Sequence, residues 1–146
     1  TFFDRGEKMS TWKCRFDVIP QAKQSTRFSA KNGRVMSFTP AKKVCYQNQL
    51  AALACSVRPE TPFTGPVGLQ AKFWWPYPAS WSKKKRFIRP KLSRPDLDNL
   101  LKPLKDALSG IVYVDDSQIV TYKLCGKWYG ETAGIDVQVF EMDGVA

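Results

Sequence analysis

Asp96, Asp98, Asp115 and Asp116 are the residues best placed to do chemistry in this chain, with Lys102 lying between the two pairs. Two positions apart on a helix, Asp96 and Asp98 would point about 200° away from each other and could not share an ion. Pro95 steers Arg94 out of the helical region, so the chain arrives extended. That places Asp96 at a loop–helix junction and Asp98 at the cap or in the first turn, with Leu97 turned inward and both carboxylates outward. Lys102 follows Asp98 by one turn along the same face. A helix from about 98 to 109 is roughly 18 Å long. An extended 110–116 segment spans up to roughly 23 Å, so the chain can run back and deliver Asp115 and Asp116 to that helix's N-terminus.

Such a group of carboxylates is a hard, all-oxygen ligand set that suits magnesium, with manganese able to substitute. A cation held there lowers the pKa of a bound water and offsets charge on a phosphodiester under attack. Lys102 adds a fixed positive charge where an oxyanion would develop. Simpler roles compete for the same residues. An aspartate at either position can merely cap the helix, and Lys102 can pair with Asp98 and Asp106. Neither explains two further acids within reach.

Histidine is absent, which excludes imidazole bases, serine-histidine triads and histidine-ligated metal sites. Cys14, Cys45, Cys55 and Cys125 include no close pair, so a zinc ribbon or dense disulfide framework is not expected, and free thiols suit a reducing cytoplasm. An EF-hand starting at Asp96 requires glycine where Leu101 stands. Phosphate-cradling glycine loops are missing as well. An RNase H-like core, with Asp17 on the first strand as its leading carboxylate, stays open.

The net charge of +10 calls for a polyanionic partner, and its distribution narrows the choice. Residues 18–95 hold fifteen basic side chains against the single acid Glu60, and five of the thirteen acids then fall between Asp96 and Asp116. The densest basic run, with Lys83, Lys84, Lys85, Arg86, Arg89, Lys91 and Arg94, ends just before Asp96. Together with Arg27 these cations are candidate phosphate contacts, whose binding would weaken steeply with salt.

The elements that must carry these groups follow from periodicity. Trp12, Cys14, Phe16 and Val18 alternate with polar residues as a half-buried strand does. A polar stretch with a turn signal at Asn32-Gly33 leads to Thr39-Pro40, which can open a helix. Its apolar face carries Tyr46, Leu50, Leu53, Ala54 and Val57. Val67, Leu69, Ala71, Phe73 and Trp75 mark a second strand, and 76–93 reads as a long loop. Leu97, Leu100, Leu101, Leu104 and Leu108 line a second helix that contains Pro103. Residues 118–128 and 135–141 are expected to close the fold as a hairpin turning near Tyr129-Gly130. The chain order β-α-β-α-β-β predicts an α+β domain with two main helices on a mixed or antiparallel sheet. Residues 1–8, ahead of Met9, are set apart as an appended or disordered segment, leaving 9–146 as one domain. No leader peptide and no run of apolar residues long enough for a membrane span is expected.

The stretch RPDLDNLLKPLKDALSGIVYVDDSQIV, residues 94–120, resembles the signature of RusA-type Holliday junction resolvases of phages and prophages. A weaker resemblance runs from Trp12 to Met142. It implies a homodimer that binds four-way DNA junctions and makes paired, magnesium-dependent nicks in strands of like polarity, inside a bacterial host cell. Carried over residue by residue, Asp96, Asp98 and Asp116 are the catalytic carboxylates and Lys102 the catalytic lysine, with the adjacent Asp115 ranked below them as a metal ligand. Two other classes compete with a resolvase: a basic nucleic-acid-binding module without activity, and a structural or chaperone-like phage protein.

Overall fold

The structure, a computed structural model, describes residues 10–22, 27–31, 34–38 and 41–142, leaving aside the side chains of 27–31, 34–38 and 41–44. The segment ahead of Met9, the Asn32-Gly33 turn and the Thr39-Pro40 helix opening lie outside the described residues. The strands are β1 (Thr11–Phe16), β2 (Arg27–Lys31), β3 (Arg34–Phe38), β4 (Val67–Pro76), β5 (Arg89–Pro90), β6 (Ile119–Tyr122), β7 (Gly126–Gly130) and β8 (Gly134–Glu141). The helices are α1 (Ala41–Ser56) and α2 (Leu97–Leu108). This is the expected α+β domain, with β2 and β3 added as a separate antiparallel pair.

The ten-residue β4 organises the main sheet, whose order is β1-β8-β4-β7-β5. Alternation works on it as the sequence predicts: Val67, Leu69, Ala71 and Phe73 are completely buried. Ile135, Val137 and Val139 of β8 and Trp12 and Phe16 of β1 share that face. Tyr46, Leu50 and Ala54 of α1 and Leu100, Leu101, Leu104, Ala107 and Leu108 of α2 complete one cluster with them. Each large side chain so buried is worth about 1.5–3 kcal/mol, which is what seats α2 on the sheet.

The expected closing hairpin does not form. β8 pairs antiparallel with β4 on one side, β7 pairs parallel with β4 on the other, and β4 lies between them. The short 131–133 link reverses the chain across the end of β4, so β8 returns on the far side of β4 instead of beside β7. The glycines at its two ends make room for this: a Cβ on Gly130 would come within 2.9 Å of the Trp74 ring, and one on Gly134 within 2.5 Å of the Arg15 guanidinium. Nor is 118–128 one strand. β6 pairs with the start of β4 and β7 with its end, and Leu124 between them takes a left-handed φ of 52°.

This topology removes the RNase H-like alternative, which needs a parallel core carrying Asp17. β1 is an antiparallel edge strand, and Asp17 beyond its end is exposed and 3.4 Å from Arg15. Pro103 sits inside α2 among its buried residues, so the helix runs through it and the carbonyl of Asn99 loses its usual donor. Among the described residues, no helix is long and apolar enough to cross a membrane.

Candidate active site and nucleic-acid interface

Asp96 occupies the N-cap of α2 in extended conformation (φ −71°, ψ 146°), and Asp98 stands in the first turn, as the Pro95 argument predicts. The capping role does not account for Asp96, because its side chain makes no capping hydrogen bond. Its backbone carbonyl starts the helix instead, accepting from the Leu100 amide at 3.2 Å. Lys102 is exposed and, among the described residues, makes no ion pair with Asp98 or Asp106. Its simplest competing explanation therefore also lacks support.

The return of the chain differs from the extended run expected for 110–116. The Ile111 and Val112 amides bond the Leu108 carbonyl, and Gly110, at φ 82°, supplies the left-handed residue of a tight reversal. Val112 and Tyr113 are fully buried, and the Tyr113 hydroxyl donates to the Lys105 carbonyl at 2.7 Å. Burial, with the Asp116 charge second, pushes that phenol well above its ordinary range. The Val114 amide then bonds the Phe63 carbonyl, and residues Asp116–Gln118 form a 3-10 turn packed against α2.

Asp115 and Asp116 part company at that turn. Asp115 caps it: its carboxylate accepts from the Ser117 amide at 3.0 Å, and its own amide donates to the Gln118 side chain at 2.8 Å. The hydrogen bonds from Ser117, side chain first and backbone second, hold the Asp115 carboxyl below the usual range. Gln118 in turn donates to the carbonyls of Phe63 and Gly65, which anchors the turn to the start of β4. Asp116 is half-buried, and among the described residues its carboxylate makes no hydrogen bond or ion pair, like those of Asp96 and Asp98.

These acids do not stand as one closed ligand set. Among the described residues, no three His, Cys, Asp or Glu side chains are close enough to hold a single ion. Asp115 is turned into its own cap, and exposed like charges lower their energy by standing apart. The donor chemistry nevertheless fits a hard divalent cation, since the carboxylates of Asp96, Asp98 and Asp116 have no partner among the described residues.

The basic run resolves into two groups. Lys83–Lys85 form an exposed 3-10 turn, and Arg94 is exposed beyond it. Arg86, Arg89 and Lys91 are instead spent on the loop's own framework. Arg86 bonds the carbonyls of Trp81 and Ala79, at 3.0 and 3.4 Å. The Arg89 guanidinium lies 3.8 Å from the Trp81 ring centre and 4.8 Å from that of Phe87, and bonds the Lys85 carbonyl at 3.0 Å. Lys91 bonds Ser93 Oγ and the Tyr129 hydroxyl, at 2.8 and 3.2 Å. Pairing of β5 with β7 completes the attachment, so 76–93 is a built platform that carries Lys83–Lys85 outward. Arg27 lies on β2, and its side chain is outside the described residues.

Sequence reasoning missed Lys127. It pairs in register with Phe73, and its ammonium reaches the carbonyls of Ser93 and Pro95. Its place on the same parity as Cys125 and Tyr129 was a usable sign, a cation where alternation asks for an inward residue.

Comparison with known proteins agrees with the motif. The family model for endodeoxyribonuclease RusA matches residues 17–140. A Bacillus subtilis (strain 168) protein described as uncharacterized protein YqaN is 37% identical over 131 residues, covering 84% of this chain and 91% of that one. The crossover junction endodeoxyribonuclease rusA of Lactococcus phage r1t is 37% identical over 78 residues, covering 53% of this chain and 56% of the phage protein. With the helix-borne DLDN element, the DDSQ turn packed against it and a family match spanning most of its length, the chain belongs to the RusA endodeoxyribonuclease family.

Proposed function

We propose that the protein is a metal-dependent endodeoxyribonuclease that binds four-way or otherwise branched DNA and resolves it by paired, symmetric nicks. One observation carries this reading: among the described residues the side chains of Asp96, Asp98, Asp116 and Lys102 are free of internal partners, and the helix bearing Asp98 follows directly on a cation-rich platform in a chain without histidine. Asp96, Asp98 and Asp116 would hold magnesium, or manganese in its place, with Asp115 shaping the turn that presents Asp116. The bound cation would supply a water of lowered pKa and neutralise developing charge. Lys102 places a fixed positive charge, on the same helix face as Asp98, against the scissile phosphate. Lys83, Lys84, Lys85 and Arg94 bind flanking phosphates directly, while Arg86, Arg89 and Lys91 keep their platform folded. Two such sites in a homodimer would meet equivalent strands of a near-symmetric junction. Four free cysteines suit the reducing cytoplasm of a bacterial host, with a phage or prophage origin.

The test compares a labelled four-way junction with a matched linear duplex in magnesium, using wild type and Asp98→Asn, with binding followed in calcium. Symmetric nicks on the junction alone, lost in the variant while binding persists, are expected. Junction binding without cleavage in magnesium or manganese would leave a non-catalytic DNA-binding module.

A further inference from the structure

A residue remote from the acids in sequence holds the entry to their helix. Lys127 on β7 pairs with Phe73 of β4, which puts its side chain on the helix-bearing face of the sheet. The ammonium donates to the carbonyl of Ser93 at 3.0 Å and to that of Pro95 at 2.8 Å. The backbone of the same residue accepts from the Lys91 amide at 3.0 Å. Three points of the 91–95 segment are thus fixed by one residue of β7, and the next residue along is Asp96.

The consequence lies at the helix cap. An aspartate at the N-cap ordinarily turns its carboxylate onto the free amides of the first turn, which fixes how the chain enters the helix. Asp96 has the extended backbone of an N-cap but makes no such bond. The entry is set from outside instead, by a cation whose donors meet two main-chain carbonyls. A carboxylate drawn onto helix amides would be a poorer metal ligand, so moving the restraint to Lys127 leaves Asp96 free to face a cation.

We propose that Lys127 is a positioning residue of the nuclease: by clamping the Ser93 and Pro95 carbonyls it sets the direction of Asp96 while leaving the Asp96 carboxylate uncommitted. The inference rests on the reading of Asp96 as a metal-holding carboxylate, and it assigns no contact between Lys127 and DNA.

The experiment uses the full chain with Lys127→Met, which keeps most of the stem but removes the donors, and with Lys127→Arg, which restores them. Manganese affinity is read by water proton relaxation, junction binding in calcium, and kcat and KM on a four-way junction in magnesium. For Lys127→Met, manganese affinity and kcat are expected to fall on the order of 10- to 100-fold, as for other outer-shell partners of metal ligands. Junction affinity and KM stay within about threefold by this assignment of roles, and Lys127→Arg recovers most of the loss. A Lys127→Met protein with wild-type manganese affinity and kcat would overturn the proposal, as would losses that merely track the unfolded fraction. Should that variant fail to fold, the wild type still decides. An ammonium bonded to two carbonyls gives a slowly exchanging 15N–1H resonance at low temperature, and its absence for Lys127 overturns the clamp. Asp96→Asn that retains both manganese affinity and cleavage would instead sink the reading of the acids, a separate failure.

Discussion

The hydroxyl of Tyr113 donates a 2.7 Å hydrogen bond to the carbonyl of Lys105, fastening the chain that leaves α2 back onto the helix it has just left. Because Tyr113 is fully buried, that bond has no water to replace it. Tyr113→Phe should cost about 0.5–1.5 kcal/mol, seen as a lower urea midpoint at unchanged slope. Raised by burial, the phenol stays neutral through the physiological range. Its contribution is therefore fully present at neutral pH and lost only as pH climbs above the ordinary tyrosine range.

Asp96→Asn, Asp98→Asn and Asp116→Asn should each remove cleavage without removing binding. A carboxylate that holds a divalent cation supports several kcal/mol of charge stabilisation, so kcat should drop by about a hundredfold or more. Junction affinity measured in calcium should hold or rise, since a negative charge has been deleted near phosphate. Parallel loss of binding and cleavage in all three would place these residues in the fold instead.

Asp115 should show itself in acid. Its carboxyl is held below the usual range by the Ser117 hydrogen bonds, so its contribution is present above the unfolded carboxylate pKa and lost as pH falls through the lowered folded value. Thermal melts of wild type and Asp115→Asn, taken from neutral pH downward, should therefore converge at the acid end. A gap that stays constant with pH would remove the charged cap as its cause.

The two groups of loop cations should separate in one pair of experiments. Replacing Lys83, Lys84 and Lys85 with alanine should leave the melting temperature unchanged and flatten the salt dependence of junction binding, by about 0.9 in the log–log slope for each phosphate that is no longer neutralised. Arg89→Ala should lower the melting temperature and alter the near-ultraviolet signal of Trp81, because the guanidinium between Trp81 and Phe87 contributes about 0.5–2 kcal/mol. If the lysine variant melts early, those residues belong to the framework as well.

What the sequence revealed and what it hid divide along a physical line. β4, α2 and the placement of Asp96 and Asp98 were legible because each depends on neighbours a few residues away: alternation, helical spacing, and a proline ahead of the cap. The separation of β7 from β8 was not. A short glycine-flanked link looks the same locally whether β8 returns beside β7 or on the far side of β4, and the difference lies in which edge of β4, a strand far earlier in the chain, each one pairs with. The basic run hid a similar division, since Arg89 and Lys83 carry the same charge but only Arg89 has an indole beneath it. Pro103 was visible as an anomaly, and its place on the buried side of α2 depends on a sheet that the helix sequence does not describe.

The insertion of β8 between β1 and β4 also sets the order in which the molecule can be made. The amide of Ser10 bonds the Glu141 side chain across 131 residues of sequence, and every backbone partner of β1 in the sheet comes from β8. At translation speeds of about 5–20 residues per second, the first strand waits on the order of ten seconds on the ribosome before its mate is synthesised. Through that interval one edge of β4 and the apolar side of β1 stay uncovered, and a chain cut short before β8 would lack the middle of its sheet. Assembly is therefore completed from the C-terminal end, and pairings of such long sequence separation make its last step the slow one.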